Sequence, residues 1–458
     1  MALHGQGDPH HPTLLPSRCQ CTEKHRVSKE TNMIFKGLNY LRQKLERKKH
    51  RTKVRYDFYE MKARTRDLHI STPPELTWWM SSLGWCEKAV DCLADRLVFR
   101  TFNNDVLDMY SIYDQNNKDI LTDSAILSAL ITSCSFIYIT ADENGRPRMR
   151  VIDGMHATGE IDPTTNLLSE GYAVLECDDH DNPLVEAYLL PSVTYIYERG
   201  KMTRAVRNAA PYPLLVPVIN RPDAKRPFGH SRITRACMDI QGSAIRTVKR
   251  SEIASEFYSF PQKYVLGMDR DAEEYDKWLA SMSSMLRIDA GEDGEKPTVG
   301  QFTQQSMSPH NDQLRMFAGL FAGETGLTLD DMGFPSQNPS SAEAIKSSHE
   351  TLRLMARKAQ RDFSIGFKNA GYLAACVRDN QTYSRHELAN VEAKWMPIFE
   401  PDASQLSVIG DGVIKINQAI PDYFGKDNLR DLTGITAVET EQGMADLITP
   451  EALDEELE

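Results

Sequence analysis

The segment from 227 to 377 constrains this chain more than any other. After Pro227-Phe228-Gly229-His230-Ser231, apolar residues Ile233, Cys237, Ile240, Ala244 and Val248 recur every three to four positions. That spacing predicts an amphipathic helix from about Ser231 to Phe257, roughly 40 Å long at 1.5 Å per residue. Arg232, Arg235, Arg246, Lys249 and Arg250 fall mostly off the stripe, and Pro261 ends the helix. An insert over 259–307 follows, with strands expected at Lys263–Leu266 and Thr298–Thr303, a short helix at Asp271–Met285 and a loop at Ile288–Lys296 rich in glycine and acid. Ser308 as N-cap and Pro309 at the first helical position start a second helix. Leu314, Phe317, Leu320 and Phe321 share one side of it, and Gly323 and Gly326 close it. A polar loop then carries Asp330, Asp331, Met332, Gly333, Phe334, Gln337 and Asn338. Ser340-x-x-Glu343 reads as the capping box of a third, long helix to about 377. Two helices around a small insert, then a loop and a long helix, make poor enzyme scaffolding and a good stalk with a knob at its end.

Upstream, residues 1–32 lack apolar periodicity and are expected to be disordered. Leu38, Leu41 and Leu45 then recur beside a strongly basic stretch, 41–66, for which a solvated helix face is the expected reading and contact with DNA a functional one. Pro73-Pro74 precedes a mixed helical region to about 131, whose core is expected from Trp78, Trp79, Leu83, Trp85, Val90, Leu93 and Leu97. Residues 134–218 read as an antiparallel sheet: Cys134–Thr140, a tight turn at Glu143–Arg146, Met149–Ile152, Tyr172–Glu176, Leu184–Leu190 and Val193–Tyr197. Pro211, Pro213, Pro217 and Pro222 suggest a stiff connector. Past 378, a strand at Ala393–Ile398, a short helix at Gly412–Ile420 and an acidic tail complete an α+β chain.

Chemistry is sparse. Gly291-Glu-Asp-Gly294-Glu-Lys296 has the wrong spacing and too much negative charge for a phosphate cradle. His349-Glu350 and His386-Glu387 lack the second histidine of a zinc helix, and no Gly-x-Ser-x-Gly elbow occurs. Asp178-Asp179-His180-Asp181 is the one dense cluster of possible ligands. Followed by Asn182-Pro183 between two strands, it reads as a solvated turn rather than a cation site, so no metal is expected there. The eight cysteines form no disulfide framework and read as free thiols, and Cys19-Gln20-Cys21 lacks the spacing and second pair of a zinc site. The uncharged Ser124–Ala141 run carries too many hydroxyls for a membrane span and reads as a buried helix entering a strand. A net charge of −12 argues against tight nonspecific DNA binding, which rests on cations, and suits a surface that DNA must pass without sticking.

Four motifs in order resemble the portal proteins of long-tailed bacteriophages, over about residues 33–425. They are Gly84-Trp85 with Ala89-Val90-Asp91-x-Leu93-Ala94-x-Arg96-Leu97; Pro227-Phe228-Gly229-x-Ser231-Arg232-Ile233; Phe257-Tyr258-x-Phe260-Pro261-Gln262-Lys263-Tyr264; and Asn338-Pro339-Ser340-Ser341-Ala342-Glu343-Ala344-Ile345. The resemblance implies a portal fold with an α/β wing (33–226, joined by the 342–377 helix), a helical stem (227–258 and 308–326), a small α/β clip (259–307), a tunnel loop (327–341) and a C-terminal crown region (378–458). It implies a dodecameric ring at one capsid vertex, the channel for packaging and ejection of double-stranded DNA, without catalytic activity or cofactor. It implies contacts with the terminase large subunit, the head-tail adaptor and the major capsid or scaffolding protein. The location would be the virion, after assembly in the host cytoplasm, with no membrane involved. On this reading Asp330, Asp331, Met332, Gly333, Phe334, Gln337 and Asn338 face DNA. Ile233, Cys237, Ile240, Ala244, Val248, Leu314, Phe317 and Phe321 would meet neighbouring subunits. Glu292, Asp293, Glu295 and Lys296 would offer a partner surface on the clip. The competing expectations are a minor capsid or adaptor protein, and a metal-dependent phage hydrolase using Asp178–Asp181.

Overall fold

The computed structural model describes residues 35–66, 76, 78–259, 263–266, 298–301, 306–335, 347–421 and 423–435. The expectations for residues 1–32, the Asp271–Met285 helix, the clip surface at Glu292, Asp293, Glu295 and Lys296, Gln337, Asn338, the Ser340–Glu343 capping box and the acidic tail lie outside them.

Helices α1 (Leu38–Tyr59) and α2 (Trp85–Ala94) precede strand β1 (Phe99–Asn103) and helices α3 (Met109–Gln115) and α4 (Lys118–Thr132). Eight strands follow: β2 (Cys134–Ala141), β3 (Pro147–Ile152), β4 (Ala157–Ile161), β5 (Leu168–Cys177), β6 (Pro183–Leu190), β7 (Val193–Glu198), β8 (Lys201–Arg207) and β9 (Leu215–Ile219). Then come α5 (Arg235–Ser259), β10 (Lys263–Leu266), β11 (Thr298–Gln301), α6 (Ser308–Thr325), α7 (Glu350–Arg378), β12 (Glu392–Trp395), α8 (Ala403–Ala419) and α9 (Lys426–Thr433).

The core centres on an antiparallel sheet of order β3-β2-β9. Strand β2 runs Cys-Ser-Phe-Ile-Tyr-Ile without a charge, and its first four residues are buried, as a strand covered on both faces requires. Helix α4 lies along β2 and β3, and α7 along β9, β2 and β3. The uncharged 124–141 run therefore is a buried helix turning at Ser133 (φ 94°) into a strand. Among the described residues no helix is long and apolar enough to cross a membrane. The proline-rich connector proves to contain β9. Pro217 sits opposite Phe136 on an edge strand, where its missing N–H costs no ladder bond, and all five β9 residues are buried. Gly366 lets α7 approach this strand, since a Cβ there would lie 3.2 Å from the Pro217 carbonyl.

A second sheet, order β4-β5-β6-β7-β8, meanders antiparallel. Helix α1 covers one face, where Leu41 and Leu45 join Tyr172 and Val174 in a small separate core. Its basic side chains turn inward. Lys36 and Lys44 meet Glu160 (3.0 and 2.5 Å), Arg42 meets Glu186 (2.6 Å) and Lys49 meets Asp181 (2.6 Å). Buried Glu170 accepts from the N–H groups of Lys36 (2.9 Å) and Gly37 (3.1 Å), placing an anion at the helix start. So Arg42, Lys44 and Lys49 of the basic stretch are neutralised by its own sheet. Arg47, Arg51, Lys53, Lys62, Arg64 and Arg66 remain exposed.

Two expectations about the core need correction. Trp78 and Trp79 are exposed at 70% and 42%; Trp85, Val90, Leu93 and Leu97 of the same region are buried. The C-terminal region also begins later than 378. Strand β12 pairs with β1, and Trp395 packs on Phe99 and Phe367, so the chain to about 398 belongs to the main core. Helix α8 starts nine residues before the expected Gly412, and neither it nor α9 has a buried residue. The six described cysteines are all free thiols.

Candidate functional site

The lead-in to α5 is built by interlocked backbone contacts. Gly229 takes φ +71°, and a Cβ there would meet the Asn220 carbonyl at 2.1 Å, so only glycine fits. Buried Asn220 accepts from His230 N (2.9 Å) and donates through Nδ2 to the His230 carbonyl (2.7 Å). Ser231 Oγ donates to the Ile131 carbonyl (2.6 Å) and accepts from Ile233 N (2.9 Å), while Arg232 N donates to Leu130 (2.7 Å). The Pro-Phe-Gly-x-Ser-Arg-Ile motif is thus docked on the C-terminus of α4. The helix begins later than expected, at Arg235, because Thr234 Oγ1 caps Cys237 N (3.2 Å) and holds Ile233 outside it.

Arg232 is the residue that sequence reasoning placed off the stripe and left without a role. Its side chain is buried and, among the described residues, has no carboxylate partner. Nε donates to the Ala89 carbonyl (3.1 Å) of α2, and Nη2 to the Thr325 carbonyl (2.6 Å) at the C-terminus of α6. Nη1 reaches Met355 Sδ (3.1 Å) on α7. Burial pulls its pKa down to about 10, which still leaves it cationic at neutral pH. The carbonyl end of a helix is a favourable place for a cation. Gln241, also buried, accepts from Cys86 N (2.7 Å) and donates to the Leu83 carbonyl (2.7 Å), fixing the start of α2. One arginine and one glutamine therefore fix the long helix against three others. The Pro-Phe-Gly-x-Ser-Arg-Ile motif contains Arg232 but does not show its role, because the partners of both residues, main-chain groups and Met355 Sδ, come from distant segments.

Helix α6 packs along α5, and Gly326 (φ +70°) ends it. Gly323 stays inside the helix, and Ser308 is its first residue rather than its N-cap. Strands β10 and β11 pair antiparallel, Lys263 opposite Gln301, so the insert leaves α5 and returns to α6 through a two-stranded ladder.

The apolar stripe faces the protein's own interior. Ile233, Cys237, Ala244 and Phe321 are each 1% exposed or less; Phe321 lies against the Trp85 ring at 5.6 Å. Ile240, Leu314 and Phe317 are partly buried against the same core, and Val248 is half-buried. Ile233, Cys237, Ala244 and Phe321, expected to meet neighbouring subunits, are thus enclosed by their own chain. The large hydrophobic residues that α6 leaves outward are Met316 and Leu320, 52% and 54% exposed.

The loop after α6 is more structured than its polarity suggested. Asp331 Oδ2 accepts from Thr328 N and Oγ1 (2.8 Å each), and Thr328 Oγ1 accepts from Asp331 N (3.1 Å). The Leu329 carbonyl accepts from Met332 and Phe334, Met332 is buried, and Phe334 packs on the core. Asp330 and Gly333 point outward. The expectation of a weakly ordered loop therefore fails over Thr328–Phe334. Helix α7 ends at Arg378, one residue from the expected 377.

The Asp178–Asp181 cluster is a turn. Asp178 Oδ1 accepts from His180 N (2.9 Å) and Asn182 N (2.8 Å), and Oδ2 from Asn182 Nδ2 (3.0 Å). Hydrogen bonds from Asn182 are the main reason the Asp178 carboxyl lies below its usual range. Asp179 and His180 are exposed, and Asp181 (φ 62°) points back at Lys49 and His156.

The sequence is similar to the portal protein of Mycobacterium phage L5, 26% identical over 317 residues, covering 64% of this chain and 65% of the relative. It is 23% identical over 338 residues to the portal protein of Mycobacterium phage D29, covering 69% of each. The chain thus spans just under two thirds of the L5 relative. Among solved structures, the neck of a native gene transfer agent particle computed with C12 symmetry aligns with a TM-score of 0.43 and 13% identity, over 84% of this chain and 99% of that one. The neck of an empty particle of the same agent, computed with C6 symmetry, gives 0.43 and 12% over 80% and 95%. The family profile described as phage portal protein, SPP1 Gp6-like, matches residues 38–410, spanning the docked lead-in, the α5–α6 hairpin and the α7 helix, and this chain belongs to that family.

Proposed function

We propose that the chain is the subunit of a portal ring, near twelve copies, set at one vertex of a phage capsid. Double-stranded DNA passes through its channel during packaging and ejection, read by no sequence-specific contact. The observation that carries this reading is the family match across 38–410, which covers every element built around Arg232. In that frame 33–226 with α7 is the wing, α5 and α6 the stem, the β10–β11 insert the clip, 327–341 the tunnel loop, and the chain beyond about 398 the crown. The channel role supports a structural rather than a catalytic protein. The terminase large subunit, head-tail adaptor, and capsid or scaffolding protein are the proposed partners. Location in the virion, after assembly in the host cytoplasm, follows from the same reading.

The stem geometry favours a modified subunit contact. Met316 and Leu320 on α6 meet the neighbouring copy, while Ile233, Cys237, Ala244 and Phe321 hold each copy together. At the loop, Asp330 and Gly333 face the channel, with Asp331 and Met332 supporting the turn from behind. The −12 charge weakens adhesion of DNA, which depends on cationic contacts.

The test is genetic and structural. Phage lacking this chain should form capsids without packaged DNA and without attached tails, and antibody-gold against it should mark one vertex of wild-type particles. Filled, tailed particles in its absence would overturn the proposal.

A further inference from the structure

Among the described residues, one group of mixed metal-type donors gathers away from the stem. His156 lies between β3 and β4, Cys177 ends β5, and Asp181 sits in the β5–β6 turn; one donor atom from each lies within 4.8 Å of the others. His156 Nε2 and Asp181 Oδ1 are 3.2 Å apart. Around tetrahedral zinc at ordinary bond lengths, donors stand about 3.3–3.6 Å apart. The set thus closes with a shift of about 1 Å in a surface turn.

Two further contacts separate this group from an ordinary polar turn. Behind the imidazole, His156 Nδ1 meets Asp153 Oδ1 at 2.7 Å, and the same oxygen accepts from Met155 N (3.1 Å) and His156 N (3.0 Å). Behind the carboxylate, Lys49 Nζ holds Asp181 Oδ2 at 2.6 Å, which leaves Oδ1 toward His156. A carboxylate orienting the ligating histidine, and a donor orienting the ligating carboxylate, are the outer partners that metal sites use. The donors also line a cleft open to solvent between α1 and the second sheet, with Arg42 and Tyr172.

We propose that His156 Nε2, Cys177 Sγ and Asp181 Oδ1 bind one Zn²⁺ per chain, with solvent as fourth ligand. Imidazole, thiolate and carboxylate together suit zinc; magnesium and calcium take oxygen ligands. Binding releases the Cys177 thiol proton, and any proton on Nε2, to solvent. Protons compete with the ion for these donors, so affinity falls as pH falls. The ion ties the β3–β4 turn to the β5–β6 turn and does not depend on the portal reading.

The experiment uses the full chain, stripped with a chelator under reducing conditions and titrated with Co²⁺ as optical probe. One equivalent should produce a near-ultraviolet thiolate-to-cobalt band that one equivalent of Zn²⁺ bleaches. Cys177→Ser should lose the band. His156→Asn and Asp181→Asn, surface changes that test the site even if Cys177→Ser misfolds, should weaken binding at least tenfold. Asp153→Asn, with all three ligands intact, should weaken it about tenfold. No band in the wild type overturns the proposal. So does an undiminished band in Cys177→Ser, which would put the ion on another thiol such as Cys19 or Cys21.

Discussion

Gly229→Ala is the sharpest perturbation of the lead-in to α5. The residue sits at φ +71°, where an L side chain costs about 1 kcal/mol. The new Cβ would lie 2.1 Å from the Asn220 carbonyl oxygen, more than 1 Å inside ordinary contact, so either the loop or the end of β9 must move. Movement breaks the two Asn220–His230 hydrogen bonds (2.9 and 2.7 Å), each worth about 1 kcal/mol. The expected cost is about 3 kcal/mol in all. Gly145→Ala in the β2–β3 turn is the control: its φ is +76°, but nothing lies within 4 Å of a Cβ there, so about 1 kcal/mol is expected. Urea unfolding of both variants at matched concentration reads the difference directly. A gap near 2 kcal/mol supports the clash. Equal midpoints would refute it and leave backbone conformation as the whole effect.

Other outcomes follow from the same geometry. Leu320→Asp, 54% exposed, should leave subunit stability within about 0.5 kcal/mol yet block ring assembly, while Phe321→Ala one position on should cost about 3–5 kcal/mol of folding; electron microscopy and urea melts separate the two. Glu170→Ala removes the acceptor of Lys36 N, Gly37 N and the Tyr188 hydroxyl (3.0 Å), so α1 should lose about 2–3 kcal/mol of protection against native-state proteolysis. Burial acts to raise the pKa of Glu160, but hydrogen bonds from Lys44 and Lys36 outweigh it and hold the carboxyl below its usual range. A depressed folded pKa adds stability that is fully present above the ordinary value near 4.5 and is lost as pH falls through the folded value. Proteolysis at α1 should therefore rise as pH falls below about 4.5, and Glu160→Gln should flatten that profile.

Much of the α+β layout was legible because local signals agreed. Cys134–Ile152 combines an uncharged strand-like run with a Gly145 turn, and the structure has its hairpin there. The α5–α6–α7 order follows from helical spacing and from Pro309 and Gly326. Reading failed where long-range packing decides. The proline count hid β9, because Pro217 is harmless on an edge strand. The stripe from Ile233 to Phe321 was correctly seen as apolar, but periodicity says which face is covered and not by what; here the cover is Trp85 and the body of the same chain. Arg232 lies in a motif, but its role was invisible because its partners, the carbonyls of Ala89 and Thr325 and Met355 Sδ, are supplied by the fold. The Asp178–Asp181 cluster looked like a unit, whereas the turn uses Asp178 internally and turns Asp181 toward His156.

The central claim is that this chain closes into a ring around a channel. Mass photometry with negative-stain electron microscopy, on the full chain purified free of DNA, tests it first. The account predicts rings with a central hole and a mass near twelve times 51.8 kDa, dissolved by Leu320→Asp. A stable monomer or dimer at every salt concentration would contradict it.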